Sequence, residues 1–211
     1  GDVYKRQAVR EAQGEYLLFL NNDVEIITEN WLEEMLQLCQ QKDVGMVGAK
    51  LYYPDDTIQH AGVVVGLGGV AAHVLCKLPR DAEGYMGRLR CVQEISAVTA
   101  ACMMVKTSVF KAVGGFDEEL KVAFNDIDLC MKVRKYGVKI VFTPYAELYH
   151  YESKSRGMED TPEKQLRFSR EVNCFRRKWE RELLKGDPYY NPNLTLNNTD
   201  CSLRKQEKNG D

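Results

Sequence analysis

The sequence predicts an α/β fold in which a mostly parallel sheet is flanked by helices. Three observations carry that prediction. Tyr16-Leu17-Leu18-Phe19-Leu20 is a continuous apolar run that stops at Asn21-Asn22-Asp23, the pattern of a parallel strand buried on both faces with polar residues at its carboxyl end. Strand-like runs then alternate with helix-like ones along the chain, which is how an α/β layer fold reads. The helices carry their own punctuation, with Gly137 as a stop and Thr161-Pro162 as a start.

Taken in order, Thr28 can cap a helix whose apolar positions are Trp31, Leu32, Met35, Leu36 and Cys39. Residues 44–49 read as a second short buried strand. Residues 51–65 mix the turn signal Pro54-Asp55-Asp56 with a β-branched run, and residues 66–90, rich in Gly and charge, read as loop. Residues 95–106 look like a strand, followed by a short helix capped by Thr107 and ended by Gly114-Gly115. A helix is expected over 126–136, with Ile127, Cys130 and Met131 on one side. Residues 138–143 form a strand that Pro144 closes. In the last long helix Phe168, Val172, Phe175, Trp179 and Leu183 make an apolar stripe. Beyond Lys185 the chain turns polar, residues 187–192 cannot be helical, and the final ten are expected to fray.

The length of 211 residues suits one ordinary domain or one and a half small ones. Apolar residues at 44% and charged residues at 28% exclude disorder, collagen and coiled coil. The formal net charge of -2 gives no global attraction to nucleic acid or anionic membrane. The most apolar long stretch, residues 61–76, is too short and too Gly-rich to span a bilayer, and residues 1–7 do not read as a secretory signal. Seven scattered cysteines with no Cys-x-x-Cys pair argue against a zinc site and for buried free thiols in a reducing compartment.

Three constellations could carry chemistry. Asn21-Asn22-Asp23 lies where open sheets bind ligands, so Asp23 is either a hard-metal ligand or a solvated turn residue. Asn125-Asp126-Ile127-Asp128 opens a helix; Asp126 either caps it or, held at that positive end, accepts a proton from a substrate hydroxyl. His150 is either a satisfied structural histidine or a ligand, and the Ser153-Lys154-Ser155-Arg156-Gly157 run after it suits phosphate oxygens. Together they would make a coherent set, in which Asp23 and His150 could share a divalent cation, Lys154 and Arg156 could hold a diphosphate, and Asp126 could serve as base. His60 and His73 flank a Gly-rich loop, either as structural residues or lining an acceptor cleft. Arg176-Arg177-Lys178 is either a solvated helix face or a membrane patch.

With Val113-Gly114-Gly115-Phe116-Asp117-Glu118 and His150-x-Glu152-Ser153-x-Ser155-Arg156-Gly157, these motifs occur in one order over roughly residues 8–203. The chain resembles family-2 glycosyltransferases of the GT-A fold, in the branch linked to bacterial cell-surface polysaccharide. The resemblance implies an inverting transfer from a nucleotide-diphosphate sugar donor to a hydroxyl of a glycan or lipid-linked acceptor, with Mn²⁺ or Mg²⁺ as divalent cation. It carries Asp23 and His150 over as metal residues, and Asp126 as catalytic base. Asn21 and Asn22 join Lys154 and Arg156 on the donor side, and Thr99 and Asp128 fall on the acceptor side. Asn21 stands where the family's D-x-D element has its first Asp.

Asp23 stands close to the start of the chain, so the first nucleotide-binding βαβ units are expected to be missing. Residues 1–7 fit the pattern poorly. Residues 1–185 would be a partial GT-A domain holding the metal and acceptor half, with 186–211 an extended tail. The strand at 16–20 would then expose an apolar edge, and this chain alone would bind donor weakly and turn over little. The expected location is cytoplasmic, with peripheral association at the inner membrane face left open. A metal-dependent phosphoryl-transfer enzyme is one rival reading, although the sequence has no Walker-type loop. A catalytically silent domain that binds partners or glycan is the other.

Overall fold

The structure is a computed structural model that describes residues 2–151 and 161–205. Helix α1 (Asp2–Glu11) leads into strand β1 (Tyr16–Leu20), then the short β2 (Val24–Ile26) and helix α2 (Trp31–Cys39). Strand β3 (Val44–Tyr52) is followed by three short strands, β4 (Ile58–His60), β5 (Val63–Val65) and β6 (Ala71–His73). Next come β7 (Gln93–Glu94), β8 (Cys102–Lys106), α3 (Thr107–Ala112) and α4 (Asn125–Tyr136). The long β9 (Lys139–His150), α5 (Pro162–Lys178) and α6 (Glu180–Lys185) complete the order.

The main sheet runs β1-β8-β3-β9-β2, with β4 beside β3 and β7 beside β9; β5 and β6 form a separate ribbon. The central strand β3 is buried along its whole length. Its side chains alternate. Val47, Ala49 and Leu51 pack with Trp31, Met35 and Cys39 of α2, while Met46 and Tyr52 join the core that holds Ile127, Leu129, Phe142 and Phe175. Alternation on a strand covered on both faces gives three layers, helix, sheet and helices.

The α/β architecture is as expected, but the sheet is mixed rather than mostly parallel. Among the described strands only β3 and β9 pair in parallel; the β1/β8, β8/β3 and β2/β9 pairs are antiparallel. The reason is topological. The connection from β3 to β8 has no crossover helix of ordinary length, and β8 comes back down beside β3. β1 and β3, each antiparallel to β8, still run the same way, so β1, β3 and β9 end at one edge. β1 is the last strand of the order, with Leu17 and Phe19 buried and Leu20 38% exposed.

Two boundaries differ from the sequence expectation. Pro144 does not close its strand. Gly48 pairs with Phe142 and Lys50 with Glu147, so residues 143–146 bulge from the ladder, and a bulge is where a strand tolerates a residue with no N–H. Residues 95–101 are not strand; β8 begins only at Cys102. Beyond α6 the chain is pinned to the domain as far as residue 205. Asp187 Oδ2 accepts from Val65 N at 2.8 Å, Leu196 O from Gly68 N at 2.8 Å and Thr199 O from Leu75 N at 2.6 Å, and Tyr190, Leu194 and Cys201 are buried. The expected fraying therefore fails over 202–205, where Arg204 N donates to Asn193 O at 2.8 Å.

Candidate active site

The site residues gather at the edge where β1, β3 and β9 end, the edge at which open α/β sheets bind ligands. Asn21 and Asp23 follow β1, and His150 is the last residue of β9, paired with Val24. His150 Nε2 lies 3.1 Å from Asn21 Nδ2 and 3.2 Å from Asp23 Oδ1. Asn21 N donates to Ala101 O at 2.9 Å, which ties the end of β1 to the run 99–101. Asn22 is exposed in the turn between β1 and β2.

Asp126 reaches the same run from the other side. It sits in the first turn of α4 and is partly exposed. Its Oδ2 accepts from Ala100 N at 3.1 Å and its Oδ1 from Ile127 N at 2.9 Å. Two backbone N–H groups fix the carboxylate at the positive end of a helix, where negative charge is favoured. Lys5 Nζ bridges the two halves, donating to Asn21 Oδ1 at 3.0 Å and to Ala100 O at 2.8 Å. Thr99, partly exposed, accepts from Ala101 N at 3.4 Å and so shapes the run itself.

Asp128, expected on the acceptor side, lies in the interior. It is fully buried, one helical step deeper than Asp126, with Oδ1 accepting from Trp179 Nε1 at 2.8 Å. Lys178 and Lys132 lie 2.7 and 3.1 Å from its two oxygens. An i+2 residue on a helix points to the opposite side, so Asp126 on the partly exposed side of α4 puts Asp128 inside. This cluster also uses Lys178 of the basic run, and Arg176 Nε donates to Gly69 O at 3.2 Å. Lys154 and Arg156 lie outside the described residues.

Three contributors gave no sequence signal. Gln59, 5% exposed in β4, meets His150 twice: Oε1 is 2.7 Å from Nδ1, and Nε2 donates to His150 O at 3.1 Å. Glu171, buried in α5, accepts from the N–H groups of Lys121, Val122 and Ala123 at 2.9–3.0 Å, directly before the start of α4. Lys5 belongs to a segment that matched no motif. A Gln in an alternating strand and a Glu in an amphipathic helix look like ordinary solvent-facing residues, and only the tertiary fold buries them. His60 and His73 pair through their Nδ1 atoms at 2.8 Å, with His60 fully buried.

Among the described residues no group of three or more His, Cys, Asp and Glu could hold a metal ion. Asp23 and His150 are a pair, and the pair fits a cation on one observation. Asp23 Oδ1 is a buried atom with no hydrogen bond from any described residue, although His150 Nε2 is 3.2 Å away. A buried carboxylate oxygen is costly unless a positive charge or donor meets it.

This geometry can be set beside known proteins. A family model described as "Glycosyltransferase like family" matches residues 4–171. The chain belongs to the glycosyltransferase-like family. It is 56% identical over 197 residues to the uncharacterized protein y4gI of Sinorhizobium fredii, covering 93% of this chain and 22% of that protein. It is 40% identical over 205 residues to the O-antigen biosynthesis protein RfbC of Myxococcus xanthus, covering 97% of this chain and 16% of RfbC. The chain thus spans about a fifth or less of these relatives.

Two solved glycosyltransferases share the fold of this family member. A mannosyltransferase of Pyrobaculum calidifontis, in complex with GDP-Man and Mn²⁺, aligns with a TM-score of 0.53 at 16% identity, over 83% of this chain and 42% of that one. GalNAc-T7, with UDP, GalNAc and Mn²⁺, aligns with a TM-score of 0.60 at 14% identity, over 85% and 35%. The GT-A expectation is met in the fold. Among the described residues no helix is long and apolar enough to cross a membrane.

Proposed function

We propose that this chain carries the metal and acceptor half of an inverting glycosyltransferase that acts in cell-surface polysaccharide synthesis. The donor is a nucleotide-diphosphate sugar and the acceptor a hydroxyl of a glycan or lipid-linked glycan. Family membership, the O-antigen relative and the nucleotide-sugar complexes of the fold neighbours support the reading. The single observation that carries it is the meeting of Asp23, His150 and Asp126 at one sheet edge around residues 99–101.

Asp126 acts as general base. Its carboxylate takes the proton of the acceptor hydroxyl as that oxygen bonds to the anomeric carbon, from the face opposite the diphosphate. The bond from the anomeric carbon to the phosphate oxygen breaks, and its electron pair leaves with the nucleoside diphosphate. Backbone N–H groups from Ala100 and Ile127 hold the carboxylate in place for this step. Asp23 and His150 hold the divalent cation, which, when bound, neutralises charge growing on the leaving diphosphate. Asn21 and Asn22 contact the donor beside them, and Lys154 and Arg156 pair with its phosphates. Thr99 faces the acceptor from the run that fixes Asp126.

Thermal unfolding with UDP, GDP or dTDP, each with and without Mn²⁺, tests the reading. One nucleotide with Mn²⁺ should raise Tm, and Asp23→Asn should abolish the rise; saturation at a hundred times Kd is worth about 2.7 kcal/mol. Release of inorganic phosphate from the nucleotide would instead favour a phosphoryl-transfer enzyme. No response, in a longer chain extended as in the relatives, would favour a silent binding domain.

A further inference from the structure

The strongest feature outside the motifs is the double contact between Gln59 and His150. A backbone carbonyl can only accept, so the Gln59 atom 3.1 Å from His150 O is the amide nitrogen. The other end of that amide, 2.7 Å from Nδ1, is then Oε1, which can only accept. Nδ1 must therefore carry the proton. In the neutral ring this leaves Nε2 with its lone pair, and Nε2 is the nitrogen that faces Asn21 Nδ2 and Asp23 Oδ1.

We infer that Gln59 is a positioning residue that locks His150 in the Nδ1–H tautomer and thereby makes Nε2 the cation-binding nitrogen. The inference rests on His150 being a cation residue as proposed above. With Nε2 unprotonated and accepting from Asn21 Nδ2 at 3.1 Å, it gives no hydrogen to Asp23 Oδ1 3.2 Å away, so two acceptors face each other and a cation between them would be met by both. Gln59 has the means to hold that state. It is 5% exposed, it comes from β4 beyond the end of β3, and its second bond, to the His150 carbonyl, fixes its own rotamer and amide orientation. Outer partners that fix a ligand's ring orientation in this way are typically worth about 10–100-fold in metal affinity.

The experiment combines a Mn²⁺ titration, read by electron paramagnetic resonance, with the imidazole ¹⁵N spectrum of the metal-free 211-residue chain at alkaline pH. The three histidines are assigned from single His→Gln variants. The expected result is an Nδ1–H signature for His150 in the wild type. Gln59→Met, similar in volume but without an acceptor, should lose that signature and bind Mn²⁺ about 10–100-fold more weakly. Gln59→Glu, which keeps the acceptor for Nδ1 but cannot donate to the His150 carbonyl, should retain the Nδ1–H tautomer. An Nε2–H signature in the wild type overturns the inference, whether or not any variant folds. So does Gln59→Met with tautomer and affinity unchanged. If the wild type shows Nδ1–H but no Mn²⁺ binding, the cation reading fails and the tautomer lock by Gln59 stands as a finding about His150 alone.

Discussion

Residue by residue, the two aspartates at the start of α4 divide their work by depth. Asp126 meets two backbone N–H groups and is partly open to solvent; Asp128 meets a tryptophan N–H and two lysines inside. Asp126→Asn should lower kcat by about 10²–10⁴-fold with little change in stability, measured as sugar transfer by a longer chain that includes this one. Asp128→Ala should act the other way. It leaves the buried Trp179 Nε1 without its acceptor and takes a carboxylate from Lys132 and Lys178, which keep Gly115 O and Asp117 as partners, at a cost of about 1–3 kcal/mol in urea unfolding. An acceptor KM that rose with stability unchanged would return Asp128 to the acceptor side. The cysteines divide by depth as well. Burial pushes the Cys39 thiol up to about 11 and Cys102 to about 12, while Cys91 is exposed. A thiol reagent should modify Cys91 in the folded chain and reach Cys39 and Cys102 only on unfolding.

Among the elements, local chemistry was legible and long-range pairing was not. Gly137 ends α4 in the left-handed conformation at φ 98°, and Thr161 caps α5 by accepting from Lys164 N, because these signals act within one turn of chain. The apolar run of β1 marked a strand equally plainly, although it lies at the sheet edge, antiparallel to β8, with only Leu17 and Phe19 buried. Strand direction was hidden because it depends on partners far apart in sequence, and so was the bulge that carries β9 past Pro144. The entry to α4 depends on such a distant partner. Glu171 of α5 gathers three consecutive N–H groups just before Phe124, which sits at φ 62°. Glu171→Ala should leave those donors unpaired and cost about 2–4 kcal/mol, and should raise hydrogen-exchange rates at residues 121–123 first. Exchange that rises evenly over the chain would count against a local role. In β3 the fit is tighter still: a methyl at Gly48 would lie 2.3 Å from Val98, so Gly48→Ala should cost about 1–3 kcal/mol by overpacking.

Over the whole molecule, one sheet edge collects the proposed chemistry from the end of β1, β4, α4 and β9, with its residues spread from Asn21 to His150 in the sequence. The motif residues there were readable because their types are chemically narrow. The residues that orient them were not, because Gln and Glu are mostly exposed and only packing makes them otherwise. The same packing makes His60 a source of acid sensitivity. Burial, with nearby His73 and His150 adding to it, holds its pKa well below 6.5. Below pH 6.5 the unfolded chain takes up a proton that the folded one refuses, so stability present above that pH falls as pH drops toward the folded value. The slope is at most about 1.4 kcal/mol per pH unit for this one group. His60→Gln should flatten urea midpoints between pH 6.5 and 4.5 relative to the wild type, and an unchanged slope would remove His60 as the cause.

In the proposed site Asp23 and His150 hold a cation while Asp126 serves the acceptor. Mn²⁺ affinity of the wild type and of Asp23→Asn, His150→Gln and Asp126→Asn tests it most directly. The first two variants should bind at least tenfold more weakly, about 1.4 kcal/mol or more, and the third should change within twofold. Equal losses in all three variants, or undiminished binding without Asp23 and His150, would contradict it.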